Sequence, residues 1–395
     1  MSCYIPIRNL PKLKEYKYQS EDRSLLTKYF LKRFWIEFEK IFPLWMAPNM
    51  VTLLGLVFNI VALAVVFYYD PNFDQPSPSW TYYFYGFCIF MYQTFDACDG
   101  IHARKTGQSG PLGELFDHCC DAINTTLSVL VFASVCGFGK GLLLYTAQFA
   151  TLTNFYLSTW ETFYTHRLFL SEFSGPVEGI ILIIVTCCLT GYRGQDNFWG
   201  FELFTVDLSG WGLAPEFDSY TVDLLTFSMF GAAIMIIYNI YAARRNVINK
   251  LQDPEEKKNA NLGLILFFLY YASVFGLVFL HSQIFHQYAT QMVFSVGATM
   301  AFVVGRIILN HLTKQGFPYL NLPMVIPSLQ ILAIEILTKF YRFNYDDVIA
   351  LVVYVGMGIT LATHGCFVFE IIYDITDYLD IWALSIKHPQ TKKTD

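Results

Sequence analysis

Ten stretches of this chain are too long and too apolar for an ordinary globular core, and they limit the fold before any motif is considered. They lie near 50–69, 80–96, 117–137, 140–160, 176–191, 224–243, 262–280, 289–309, 322–340 and 348–369. A helix rises about 1.5 Å per residue, so about 20 residues cross the roughly 30 Å hydrocarbon layer of a bilayer. Inside that layer a backbone pairs its own N–H and C=O groups, which favours helices for continuous apolar runs. The second and fifth stretches are short and need their flanks to span. Charged residues make up only 15% of the chain, against about 25% in a soluble domain. The expected fold is all-α: one polytopic membrane bundle of about ten transmembrane helices, with no internal repeat.

The distribution of charge tests this map. With the N-terminus in the cytosol, only Lys140, Arg193, Lys339 and Arg342 of the 26 Lys and Arg fall on the opposite side. Positive residues collect on the cytosolic face of membrane proteins, so an even number of spans with both termini cytosolic is expected. The acidic loop 192–223 suits the opposite face. Met1–Gln19 carries Lys12, Lys14 and Lys17 but no apolar core, so it does not read as a signal peptide. The tail 385–395 is polar and shows no readable retention signal. No basic cluster of the size needed for nucleic acid is present. The nine cysteines form no C-x-x-C pair, which argues against zinc and for free thiols packed among helices.

Before the first span, Leu31, Trp35, Phe38, Phe42 and Trp45 recur every three to four residues among charged neighbours. Residues 24–46 therefore read as an N-terminal amphipathic helix. Two placements stand: flat on the cytosolic leaflet, or packed on the bundle. Pro48 and Asn49 end it and begin the first span.

The chemistry is concentrated between Asp96 and Asp121. Asp96 and Asp99 stand three residues apart at the end of the second span; Asp117 and Asp121 stand four apart at the start of the third. On helices each pair shares one face. Ionised carboxylates in an apolar wall are costly, and four facing one another call for a strong cation. Oxygen ligands without Cys or clustered His favour Mg²⁺, with Mn²⁺ or Ca²⁺ as alternatives, and four acids suffice for two ions. Gly100 and Gly113 lie one turn from the acids and leave room for a diphosphate to approach the backbone. Arg104 offers a planar fork of donors for phosphate, or else a membrane-face anchor, the role expected of Lys105. His118 is the candidate base for a hydroxyl proton, with Glu114 four residues earlier to orient it; Asp121 is the alternative base.

The run D-A-C-D-G-I-H-A-R, eight residues, then G-E-L-F-D-H-C-C-D resembles the signature of the CDP-alcohol phosphotransferase family at every fixed position. YKYQSEDRSLL, FPLWMAPNMVTLLG, SGPVEG and LDIWALSIKHP extend the resemblance along the chain, to the branch that handles choline and ethanolamine. The resemblance implies a membrane bundle, commonly a homodimer, whose motif lines a cytosol-facing cavity. It implies a 50–243 six-span catalytic core and four further spans over 262–369. The implied substrates are CDP-choline or CDP-ethanolamine and diacylglycerol. The implied place is the endoplasmic reticulum membrane, or else the Golgi. It carries a CDP-binding role onto Asn49, which local sequence alone reads equally as a helix cap.

Other residues keep two readings. Glu172 and Glu178 could meet a cationic head group or be loop acids. Tyr156, Trp160 and Tyr164 could wall a quaternary ammonium or belong to an interfacial belt. His102 is expected to face solvent, and His311, His364 and Asp374 have no assigned role. Rival functions are a CDP-diacylglycerol-dependent transferase, an ion-coupled transporter and a scaffold.

Overall fold

The computed structural model describes residues 3–16, 20–22, 24–170, 175–207, 209 and 219–388. Among them helices dominate, as the apolar runs dictate. In chain order they are α1 (Lys32–Phe38), α2 (Pro48–Tyr69), α3 (Ser79–Thr106), α4 (Pro111–Cys136), α5 (Leu142–Thr165), α6 (Pro176–Arg193) and α7 (Gln195–Trp199). Then follow α8 (Leu224–Lys250), α9 (Pro254–Leu280), α10 (Ser282–His286), α11 (Ala289–Leu312), α12 (Ile326–Glu335) and α13 (Tyr345–Leu379). Among the described residues, eight segments are long and apolar enough to cross a membrane: α2, α4, α6, α8, α9, α11, α13 and the stretch Leu322–Phe340 that contains α12. The chain is thus an all-α multi-pass membrane protein. The two other expected spans, 80–96 and 140–160, are helical within α3 and α5 but are not among those eight. Their tyrosines, threonines and acids make them less apolar than the rest.

Two small sheets depart from the helical expectation. Strand β1 (Ser20–Asp22) pairs in parallel with β2 (Leu168–Leu170). Strands β3 (Glu202–Asp207) and β4 (Ser219–Asp223) form an antiparallel ribbon inside the 192–223 loop.

Helix α2 lies along α3 and α4, and α3 is flanked on another side by α6. Helix α11 packs on α4, α5 and α13, and almost all of it is buried. A Cβ at Gly297 would lie 2.3 Å from the Thr126 hydroxyl of α4, so only glycine permits that approach. Without a hydrophobic drive between helices in lipid, such close backbone packing is a main source of association.

Residues before α2 do pack on the bundle. Trp35 and Phe42 are buried with Phe95 and Cys98 of α3, and Phe38 and Leu31 border the same cluster. Trp45 was expected on that face but is 65% exposed, because the chain has already turned after Pro43. Phe30, Ile41 and Leu44 are also exposed, so this segment keeps a second apolar side.

Candidate active site

The site is assembled by one tight turn. Helix α3 ends at Gly107, whose φ of +68° is left-handed, a conformation glycine adopts without a Cβ penalty. Helix α4 begins at Pro111, in the first turn where a missing N–H costs nothing. The four-residue link folds the end of α3 back against the start of α4. Asp96, Asp99 and Asp117 then offer oxygens that all lie within 4.8 Å of one another. Each is only partly buried.

Asp121 stays outside that trio, although its charge is felt by Asp96 and Asp117. The Tyr92 hydroxyl donates to its Oδ1. The Thr52 hydroxyl of α2 donates to Oδ2 of Asp99. Oδ1 of Asp117 is buried and has no hydrogen-bond partner. Among the described residues no lysine or arginine is ion-paired with any of the four acids. An orphaned carboxylate oxygen between two further carboxylates, with oxygen donors only, fits a hard divalent cation.

Gly100, Gly113, Arg104 and Asn49 lie around the same acids. A Cβ at Gly100 would meet only the Arg104 guanidinium, at 3.5 Å, and one at Gly113 only Oδ1 of Asn49, at 3.9 Å. Packing within this chain therefore does not demand either glycine. Arg104 is exposed and folds back over Gly100. Asn49 is not a helix cap: the cap position of α2 is Ala47, and Asn49 lies in the first turn. Its Nδ2 donates to the Ala383 carbonyl at 3.0 Å, which leaves Oδ1 turned towards Gly113.

Nδ1 of His118 lies 2.9 Å from the Glu114 backbone carbonyl and 3.9 Å from Asp117 Oδ2. The carbonyl accepts, so the neutral ring carries its proton on Nδ1 and presents Nε2 as a base. The expectation gave this orienting task to the Glu114 side chain; the structure gives it to the backbone, and the Glu114 side chain lines a cavity beside the ring.

His102 is the plainest correction. It is fully buried, not solvent-facing. Nδ1 lies 2.7 Å from Glu39 Oε1 and Nε2 3.0 Å from the Met46 carbonyl. Lys105, read as a membrane anchor, reaches the other Glu39 oxygen at 2.8 Å. Burial raises the Glu39 carboxyl, but the bonds from Lys105 and His102 outweigh it and hold the group below the ordinary range.

Tyr156 and Trp160 form neither an ammonium wall nor an interfacial belt. Both are buried and donate to Gly263 and Ala260 carbonyls of α9; Tyr164 stacks on Phe317. Glu178 accepts from the Ser24 hydroxyl at 2.6 Å. Glu172 lies outside the described residues. His364 is buried with both ring nitrogens unpartnered, as is Oδ2 of Asp374.

Sequence reasoning missed Thr52 and Tyr92. Thr52 follows Asn49 by three residues and Tyr92 precedes Asp96 by four, so helical spacing from known site residues would have found both.

A model of the CDP-alcohol phosphatidyltransferase family matches residues 45–209. Cholinephosphotransferase 1 of Saccharomyces cerevisiae is 45% identical, across 99% of this chain and 100% of that protein. Choline/ethanolaminephosphotransferase 1 of the same yeast is 46% identical, across 98% and 99%. Choline/ethanolaminephosphotransferase 1 of Arabidopsis thaliana is 32% identical, across 97% and 98%. Likeness of that extent, joined to an acid cage on the matched stretch, makes this chain a multi-pass membrane member of the CDP-alcohol phosphatidyltransferase family.

Proposed function

We propose that this protein transfers phosphocholine or phosphoethanolamine from CDP-choline or CDP-ethanolamine to the free hydroxyl of 1,2-diacylglycerol. The observation that carries this reading is the convergence of Asp96, Asp99 and Asp117 within 4.8 Å, on a chain alike end to end to relatives named for these two head groups.

The acceptor oxygen attacks the phosphorus next to the amino alcohol. The bond from that phosphorus to the bridging oxygen breaks, CMP leaves, and the hydroxyl proton passes to Nε2 of His118. The Glu114 carbonyl fixes the tautomer that makes this transfer feasible. Arg104 binds a phosphate of the donor, and Asn49 orients its cytidine half. Gly100 and Gly113 put no side chain of their own between that diphosphate and helices α3 and α4. Asp96, Asp99, Asp117 and Asp121 would hold two Mg²⁺ ions, with Mn²⁺ as the alternative. Such ions offset the diphosphate charge and the charge developing on CMP. Thr52 and Tyr92 keep Asp99 and Asp121 in place for that task.

On this reading residues 50–243 form the catalytic core, 262–369 an added four-helix unit, and 24–46 an interfacial segment. The protein would act as a homodimer in the endoplasmic reticulum membrane, with site and termini facing the cytosol.

The test is CMP release by purified protein in lipid nanodiscs, given diacylglycerol and each donor, with and without chelator. Metal-dependent CMP release with either donor is expected. Release only with CDP-diacylglycerol and a soluble alcohol would sink the proposal.

A further inference from the structure

Beside His118 lies a cavity of about 20 Å³ between α4, α5 and α11, lined by Glu114, His118, Thr159, Thr162, Ile308 and His311. About 10–15 Å³ with two or more polar partners is enough for one water molecule. The cavity therefore joins the imidazole of His118 to a carboxylate and to a second imidazole.

His311 sits in the last turn of α11. Its Nε2 lies 3.1 Å from Nδ1 of His166, and the two rings are stacked at 5.3 Å and 17°. His166 follows α5 directly, with a left-handed φ of +56° that is uncommon for a residue with a Cβ. That turn is closed by its N–H on the Thr162 carbonyl, at 2.8 Å. His166 is exposed and His311 is half-buried. The titratable groups facing His311 are Glu114 on α4 and His166; Phe163 covers it from α5 at 6.2 Å. Lys314, just beyond α11, is engaged by Glu15.

We propose that His311 and His166 are the exit route for the proton that the acceptor hydroxyl gives to His118; the inference rests on the function proposed above. The proton leaves His118 Nε2, crosses the cavity by water and the Glu114 carboxylate, and arrives at Nδ1 of His311. His311 then gives its Nε2 proton to Nδ1 of His166, which releases one from Nε2 to solvent. One proton enters and one leaves, and no bond other than N–H and O–H changes. Neither ring touches substrate, so both act through His118. Helix α11 lies beyond the 45–209 stretch, so the route gives the C-terminal helices a part in the chemistry. The rival is direct escape from His118, whose side chain is itself 17% exposed.

The experiment compares wild type with His311→Ala, His311→Gln and His166→Asn in nanodiscs, following CMP release with added imidazole from zero upwards. Thermal unfolding serves as the folding control. The expected result is a kcat loss of about tenfold in both His311 variants, with KM values for donor and acceptor within about twofold. Imidazole should restore much of the rate to His311→Ala. His166→Asn, which tolerates the left-handed backbone, should show a smaller loss of the same kind. Wild-type kcat in His311→Gln, or a His311→Ala loss indifferent to imidazole, would overturn the relay. If His311→Ala does not fold, an unchanged kcat in His166→Asn overturns it instead. A wild-type protein that releases no CMP refutes the function proposed above and is thereby told apart from failure of the relay.

Discussion

Helix α3 borders two acidic centres, one around buried Glu39 and one around the partly buried Asp96, Asp99 and Asp117, and the chain treats them in opposite ways. At one, Glu39 is met by His102 and Lys105, so each oxygen has a nitrogen within 2.8 Å. At the other, three aspartates crowd within 4.8 Å with no lysine or arginine paired to them among the described residues. A compensated acid holds a fold together; removing one partner strands the others. An uncompensated cluster works against the fold until something of opposite charge arrives. The first centre fastens the segment before α2 to the bundle, and on the function proposed above the second awaits a cation. Partner count, more than burial, separates the structural acid from the functional one.

The contrast can be broken most directly at Asp117. Asp117→Asn should lower kcat by about a thousandfold or more while the thermal midpoint stays level or rises, because a repelling charge is gone. A fall in midpoint would put the cluster in the structural class. Chelation should abolish turnover of the wild type to a similar extent. Returning Mg²⁺ at about 100 times its dissociation constant should stabilise the wild type by about 2.7 kcal/mol and leave Asp117→Asn unmoved in a melting scan.

At the compensated centre the pattern should invert. Glu39→Gln should cost about 1–3 kcal/mol at neutral pH, with kcat per folded molecule nearly kept. The sign of its pH dependence follows from the depressed carboxyl. Its contribution is complete above the ordinary Glu range near 4.5 and is lost as pH falls through the lower folded value. The stability gap between variant and wild type should therefore close on acidification below about pH 4. A gap that widened there would contradict the ion-pair account. The smallest effect on stability is expected at Gly113→Ala. It should leave the free energy of unfolding within about 1 kcal/mol of wild type, since alanine is the better helix former. It should nonetheless raise the KM for the CDP donor, which isolates the ligand-facing side of the contrast.

The acid cluster was legible in sequence because helical spacing and a fixed spacer decide which side chains share a face. What covers a face is not encoded locally. His102 was misread because its partner Glu39 lies 63 residues earlier. The cap alternative for Asn49 fails on a partner, Ala383, that lies 334 residues later. Helices α8 and α11 show the same limit on a larger scale. Their most apolar 18-residue stretches have close mean hydropathies, 1.7 and 2.0, yet 6% of one stretch and 89% of the other are buried. Hydropathy reports tolerance of lipid, whereas Gly297, Ala298, Ala301 and Gly305 in α11 report close packing. Spacing alone left Tyr156 and Trp160 between an ammonium wall and an interfacial belt, and only α9, a hundred residues on, explains their burial.

The contact of Asn49 with Ala383 has a consequence for biogenesis. Next to it, the Ile386 N–H donates to the Trp45 carbonyl, and Ser385 bridges to Met46. The corner around Asn49 is thus closed by residues 334 or more positions further along the chain. A nascent chain can insert its early helices and bring Asp96, Asp99 and Asp117 together, but the Asn49 amide lacks this partner until residue 383 has been made.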